Sequence, residues 1–492
     1  MTTRSVQDKH LEINRRELLR AAGVRLLAAA GTTALGAGLT PAEAAVVTPN
    51  PIPPRIQPGL SVEIIEFATP PRTSASGAKA RLNFLYHHRI DNADKLFVND
   101  TRGKIWSLNP TTGAAKLFLD LAALRGAALI KTFYQQGLRS FALHPNFAVV
   151  NAPGYRKFYT VSTETAASRP NGVGLFQTVS TVVHHNVVTE WQVDAATLST
   201  VVPSSRRELF RIAQWREDHC ADQLMFNPHG GSDFGKLYLT VGDGGNDPNN
   251  GDPFNQAQNP GSALGKILRF VPLRQSDGRA YAVPSDNPFV GRPGWLPEIW
   301  ALGLRHPQNL SFDAGGTGKL ICTDIGHHHI EEVNVIVRGG NYGWPLREGT
   351  FAFAPNAARA YQLHTLPAND AENGFIYPVA QYDHDEGNTK RRSAIAGGFV
   401  YRGSAIPSLT GHYICGDIVT GRIFHVPVSN LVIGKQAELK ELTLKSNGTT
   451  VTLLNLVARP DRVDLRFGQD RAGEIYVLTK QDGKVRKLAR AD

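Results

Sequence analysis

The chain has 492 residues, with 53 Lys and Arg against 43 Asp and Glu, a formal net charge of +10, 47 glycines, 30 prolines and three cysteines. That length is ample for a large core, and the positive charge is not gathered into lysine-rich runs or spaced with aromatics, which argues against a nucleic-acid partner. Cys220, Cys322 and Cys415 are too few and too scattered for a disulfide framework, and none belongs to a CxxC metal motif.

The chain opens with a targeting signal. Asn14-Arg15-Arg16-Glu17-Leu18-Leu19-Arg20 is close to a twin-arginine export motif, and a mildly apolar stretch from Ala21 to Leu39 leads to small residues at Ala42 and Ala44. Its glycines, threonines and Arg25 make that stretch a poor membrane span. Residues 1–44 are therefore expected to be a removable twin-arginine signal peptide, leaving a periplasmic or secreted chain that does not span a membrane. Residues 45–60, with Pro49, Pro51, Pro53, Pro54 and Pro58, read as an extended lead-in to one domain over residues 61–492.

One pattern then recurs. A short strand begins near Leu96 (KLFVND), Phe158 (KFYTVS), Leu237 (KLYLTV), Leu320 (KLICTD), Tyr413 (HYICGD) and Ile475 (EIYVLT), at spacings of 62 to 93 residues. A turn and a second strand opening Gly-Lys or Gly-Arg often follow, as at Gly103-Lys104, Gly265-Lys266, Gly421-Arg422 and Gly483-Lys484. Repeats of this length made of strand and turn point to radial sheets. Six of them predict an all-β fold, a six-bladed β-propeller of four-stranded antiparallel blades. The run from Gly473 to Leu488 is suited to pairing with the other end of the domain, since an open ring leaves an exposed edge. Residues 117–130 are expected to form a short helix weakened by Gly126.

The chemistry concentrates between Asp218 and Phe270. If the residues after Leu224 and those from Lys236 to Val241 are antiparallel neighbours, His219 and Asp243 fall at the same sheet end. A carboxylate there fixes the imidazole tautomer and stabilises the imidazolium, which makes His219 a candidate general base. Cys220, next to it, is open to a reactive or ligating role, whereas Cys322 and Cys415 lie in apolar runs and read as buried small hydrophobes. Gly242–Gly251 reads as a turn held by side chains rather than a calcium loop. The run His327-His328-His329 offers imidazoles to a transition metal. Adjacent positions in an extended strand cannot all face one centre, so a loop conformation, or partners such as His219, His306 and His384, would have to complete such a site.

These stretches, with Pro297-Glu298-Ile299-Trp300-Ala301-Leu302-Gly303-Leu304-Arg305-His306-Pro307 and Gly339-Gly340-Asn341-Tyr342-Gly343-Trp344-Pro345-Leu346-Arg347-Glu348-Gly349, resemble the glucose/sorbosone dehydrogenase family. Its members are soluble quinoprotein sugar dehydrogenases on a six-bladed propeller that use pyrroloquinoline quinone (PQQ) and Ca2+. The resemblance covers nearly the whole chain after residue 44. It implies a dehydrogenase of an aldose or similar polyhydroxy compound, with a soluble or membrane-associated electron acceptor. In that reading His219 takes the proton of the anomeric hydroxyl while hydride passes to the quinone, Asp243 orients it, and Asp218 and Gln135 contact the sugar. Arg305 meets the quinone, with His306 and Arg462 as further cofactor contacts; His306 stands where relatives commonly have Asn, and Val419 where they have Lys. The carbonyls of Gly326 and His327 would hold calcium, and Glu332 and Tyr342 match positions of a second, structural calcium. His144, within the motif from Gln135 to Phe147, would belong to a blade turn. Two other functions compete: a propeller that has lost the quinone and binds a ligand or protein, and a histidine-ligated hydrolase such as a lactonase.

Overall fold

Short runs of branched and aromatic residues flanked by glycine favour strands, and here such runs are buried on both faces. The computed structural model describes residues 46–47, 51–52, 55–245, 252, 255–354, 362–384, 393–459 and 461–491. Among these the protein is mostly β, with short helices at Leu121–Arg125 and Leu453–Leu456. The export signal expected over residues 1–44 lies outside the described residues, as do positions 246–251 of the glycine-rich turn.

Antiparallel strands follow one another in sets. Leu82–Ile90, Ala93–Asp100, Lys104–Leu108 and Ala115–Asp120 pair in order. Leu138–Leu143, Lys157–Glu164, His184–Val193 and Val201–Gln214 do the same, with Gly174–Phe176 added in parallel at the edge. Next come Ala221–Phe226, Leu237–Val241, Lys266–Phe270 and Ile299–Leu302, then Pro307–Phe312, Leu320–Asp324, Ile330–Ile336 and Ala380–Asp383. Ile395–Val400, His412–Asp417, Ile423–Pro427 and Lys440–Ser446 follow. Finally Leu465–Gln469, Ile475–Thr479 and Lys484–Arg490 are completed by Gln57–Ala68 from the other end of the chain. Each recurrent strand read from the sequence is the second of its set, and the Gly-Lys or Gly-Arg strands are third. The first strands touch in succession, from Leu82–Ile90 through Leu138–Leu143, Ala221–Phe226, Pro307–Phe312 and Ile395–Val400 to Leu465–Gln469, which meets Leu82–Ile90 again.

The two-residue period of a strand explains this stacking. Leu237, Leu239 and Val241 pack into one apolar cluster with Leu224 and Leu268, whereas Tyr238, pointing the other way, joins Phe312 and Leu310 in another. Every set is thus covered on both sides by its neighbours. The helix expected over 117–130 is corrected: its first residues complete the strand Ala115–Asp120, and the helix is the single turn Leu121–Arg125, capped where Ala123 N–H donates to Asp120 Oδ1 at 3.0 Å. Pairing with Lys104–Leu108, together with burial of both Phe118 and Leu119, overrides helical propensity there.

Leu488, in the Lys484–Arg490 strand that joins the two chain ends, is fully enclosed, whereas Leu117 is 43% exposed. Leu488→Ala is expected to cost about 2–5 kcal/mol and Leu117→Ala no more than about 0.5 kcal/mol, read from denaturant midpoints. Equal effects would mean that the terminal strand is not part of the cooperative core.

Candidate active site

Residues that line one cavity gather where the first strands of five sets begin. Gln135 precedes Leu138–Leu143, His219 precedes Ala221–Phe226, Arg305 and His306 precede Pro307–Phe312, Ala394 precedes Ile395–Val400, and Asp464 precedes Leu465–Gln469. All of them line one cavity of about 290 Å3.

His219 is held in an uncommon backbone conformation, with φ of 49°. Its N–H donates to Gln135 Oε1, and its carbonyl accepts from Gln214 Nε2 at 2.9 Å. The ring meets Asp243 Oδ1 through Nδ1 at 2.6 Å, and Asp243 also accepts from Gly245 N–H at 3.0 Å and from the Trp344 indole at 2.9 Å. With these donors the carboxylate receives the Nδ1 proton, which leaves Nε2 as the basic nitrogen. Burial pushes the His219 pKa well below its usual value, and Arg305 and His306 add to that; burial pushes Asp243 the other way, opposed by Arg305 and its N–H donors. The strand pairing carries this geometry, because Ala221 lies opposite Val241 and each partner sits two residues beyond its strand end.

A second pair stacks on the first. The His306 ring lies 4.6 Å from His219 with 13° between the planes, and its Nε2 meets Asp222 Oδ2 at 2.7 Å. Asp222 is in turn gripped by Arg139, with Nε donating at 2.8 Å. Burial raises the Asp222 carboxyl, but Arg139 and His306 outweigh it and hold it at about 2. Arg139 and Asp222, which carry no sequence signal of their own, explain how an imidazole is accommodated at position 306.

The cavity wall is cationic. Arg305, Arg462, Arg466 and Lys480 line it, and Asp464, paired with Arg462, is the one carboxylate among the described lining residues. Arg466 and Lys480 were missed because they do not fall in a recognisable motif. Lys480 brings an ammonium to the cavity where Val419 lacks one, and it donates to Asn83 at 2.9 Å. Burial draws the pKa of Arg466 down to about 10 and that of Lys480 well below its ordinary value. Arg466 Nε and Gln308 Oε1 are buried without a hydrogen-bond partner among the described residues. Such groups need a polar ligand, and a planar tricarboxylate such as PQQ suits them.

Calcium fits less well. One oxygen of Glu348 accepts the backbone N–H groups of His327, His328, His329 and Ile330 at 2.8 to 3.1 Å, which fixes the shape of this loop. The carbonyls of Ile325 and Gly326 both accept from Arg305 Nη1, at 2.8 and 2.5 Å. A guanidinium therefore already occupies the Gly326 oxygen that calcium would use. Glu332 and Tyr342 share no hydrogen-bond partner: Glu332 accepts from Gly349 and Asn334, while the Tyr342 hydroxyl donates to the Val335 carbonyl and accepts from Val337. His327 packs against Trp344 in the cavity wall, and the three consecutive imidazoles do not converge. Among the described residues no three His, Cys, Asp or Glu side chains are arranged to hold a metal ion.

Other sequence candidates fall away from the cavity. Cys220 is enclosed beside His184, and burial pushes its thiol well above the usual range, which removes the case for a reactive thiol. Asp218 is not among the lining residues; its carboxylate lies near Arg216 and against Gly245. His144 sits in the turn after Leu138–Leu143, where its ring fills the space a side chain on Gly154 would need. No helix among the described residues is long and apolar enough to cross a membrane.

The sequence profile of the Glucose / Sorbosone dehydrogenase family matches residues 89–487. The chain is 34% identical over 319 residues to the HIPL1 protein of Arabidopsis thaliana, across 61% of this chain and 43% of that one. It is 29% identical over 345 residues to quinoprotein glucose dehydrogenase B of Acinetobacter calcoaceticus, across 64% of each. The chain thus spans less than two thirds of the length of either relative. The solved PQQ-bound form of the aldose sugar dehydrogenase from Streptomyces coelicolor shares the fold, with a TM-score of 0.53 and 18% identity over 88% of this chain and 99% of that one. With the family profile running through all six sets of strands, the chain belongs to the glucose/sorbosone dehydrogenase family.

Proposed function

We propose that this protein is a PQQ-dependent dehydrogenase of an aldose or related polyhydroxy compound, built as a closed six-bladed propeller of four-stranded blades and exported to the periplasm by residues 1–44. The observation that carries the activity is the His219–Asp243 pair opening onto a cavity walled by Arg305, Arg462, Arg466 and Lys480.

The residues divide the work. The arginines and Lys480 would hold the carboxylates of PQQ, with Arg466 Nε, which has no hydrogen-bond partner among the described residues, finding one there. Bound PQQ supplies the hydride acceptor. His219 Nε2 takes the proton of the hydroxyl being oxidised, and Asp243 stabilises the imidazolium through Nδ1–H. Arg305, fixed by two carbonyls, sets a positive charge beside the oxygen that becomes negative as the proton leaves. Gln135 holds the backbone of His219 and borders the space for the sugar. A soluble or membrane-associated acceptor receives the electrons. The rival reading of a quinone-free binding propeller draws on Val419, but Lys480 sets an amine on the same cavity wall. The hydrolase reading has no clustered metal ligands among the described residues to support it.

His219→Gln is expected to lower sugar-dependent dye reduction by about two to four orders of magnitude while leaving quinone affinity within about threefold. Unchanged turnover would move the base elsewhere. Arg466→Ala is expected to weaken PQQ binding about 10- to 100-fold, the loss of one charge-assisted bond in a buried site. Retained affinity would exclude Arg466 from the quinone site. Calcium titrated alone into the quinone-free protein is expected to show no stoichiometric binding by calorimetry. A clear isotherm would show that the ion displaces Arg305 from the Gly326 loop.

A further inference from the structure

His306 and His219 form two imidazole–carboxylate pairs stacked face to face, with ring centres 4.6 Å apart. In each pair one ring nitrogen is committed to a carboxylate, His219 Nδ1 to Asp243 and His306 Nε2 to Asp222. Asp222 carries a full charge, because the Arg139 guanidinium grips it and outweighs the cost of burial. In the neutral ring that carboxylate takes the Nε2 proton as its hydrogen bond, and Nδ1 then presents the lone pair. Neither His219 Nε2 nor His306 Nδ1 is hydrogen-bonded within the described residues, and neither is sealed from solvent; both rings line the cavity. The cavity thus offers an acceptor nitrogen on each of two rings stacked 4.6 Å apart, with Arg305 in the same wall.

A single hydroxyl has one proton and cannot satisfy both nitrogens. Two hydroxyls on adjacent carbons can, each reaching one ring at ordinary hydrogen-bond length of about 2.8 Å. We propose that His306, locked by Arg139 and Asp222, accepts a hydrogen bond from the hydroxyl adjacent to the one that His219 deprotonates, so that the site selects a vicinal diol. His306 is then a residue that sets specificity, and Arg139 and Asp222 are positioning residues that act through it. The inference rests on the dehydrogenase reading and narrows its substrate to sugars with a free hydroxyl next to the reacting carbon.

The test compares D-glucose, D-galactose and D-ribose with their 2-deoxy counterparts, using the full chain reconstituted with PQQ and, separately, sugar binding to the quinone-free protein by calorimetry. The wild type is expected to favour the parent sugar over the 2-deoxy sugar by about 10- to 100-fold in kcat/KM, because the deoxy analogue leaves a buried acceptor unpaired. The same preference should appear in binding without quinone. His306→Ala should bring the ratio of parent to 2-deoxy kcat/KM to near one, over and above any fall common to both sugars, and His306→Gln, which keeps an acceptor, should restore part of the preference. A purely structural role would lower parent and deoxy sugars alike. That result, or a wild type indifferent to the 2-hydroxyl, overturns the assignment of His306 alone. Oxidation of none of the six sugars by protein that has bound PQQ overturns the sugar dehydrogenase reading and this inference with it.

Discussion

Asp243 is the group on which the rest of the cavity depends. It is buried, and a buried carboxylate persists only where donors replace its water. Its donors come from three directions: His219 across the sheet end, Gly245 in its own turn, and the Trp344 indole 101 residues away. Its backbone N–H reaches further, donating to the Arg305 carbonyl at 2.8 Å. One side chain thus ties the base, the glycine-rich turn, the loop carrying Arg305 and the Gly-Trp-Pro segment into a single arrangement. Loss of that charge would release the tautomer of His219 and the seat of Trp344 together.

Asp324 and Glu348 extend the same logic outward. Asp324 receives the backbone N–H groups of Arg305 and His306, at 2.8 and 2.6 Å, and so aims both side chains into the cavity. Glu348 gathers four consecutive N–H groups and shapes the loop whose carbonyls steady Arg305. The cavity is therefore held by acids that do not face substrate. Their burial is tolerable because backbone dipoles converge on them, and that arrangement is rigid in a way that long flexible side chains are not.

Much of this was legible in the sequence where the relevant contacts are local. The strand beginning at Leu237 and the turn after it placed Asp243 opposite His219, because a hairpin fixes register within a few residues. The recurrent strands could be read because each is an apolar run with a turn behind it. What could not be read is whatever depends on distant partners. Arg139 and Asp222 are 83 residues apart, Asp222 and His306 are 84 apart, and Lys480 meets Asn83 across 397 residues. No periodicity signals such pairs, so His306 reads in the sequence as an isolated departure from the family when it is part of one hydrogen-bonded unit with Asp222 and Arg139. Residues 117–130 differ for the opposite reason: their composition reads as a short helix weakened by Gly126, but their first residues fill the fourth position of a sheet.

The contest between Arg305 and calcium shows how one cation can stand in for another. Both seek carbonyl oxygen, and both place positive charge beside a developing oxyanion. They differ in what fixes them. A calcium ion needs six to eight oxygens that converge from flexible loops, whereas a guanidinium needs only a few directed acceptors and brings its own tether. Here the loop's N–H groups are drawn to Glu348, the oxygens of Ile325 and Gly326 are aligned toward Arg305 Nη1, and Trp344 lies against the guanidinium with its ring centre 5.5 Å away. The tether, two carbonyls and an aromatic face leave Arg305 pre-organised at the point where charge develops. Under that arrangement the loop's three histidines need not serve a metal at all: their backbone is what the site uses, and the side chain of His327 packs with Trp344 to close the wall.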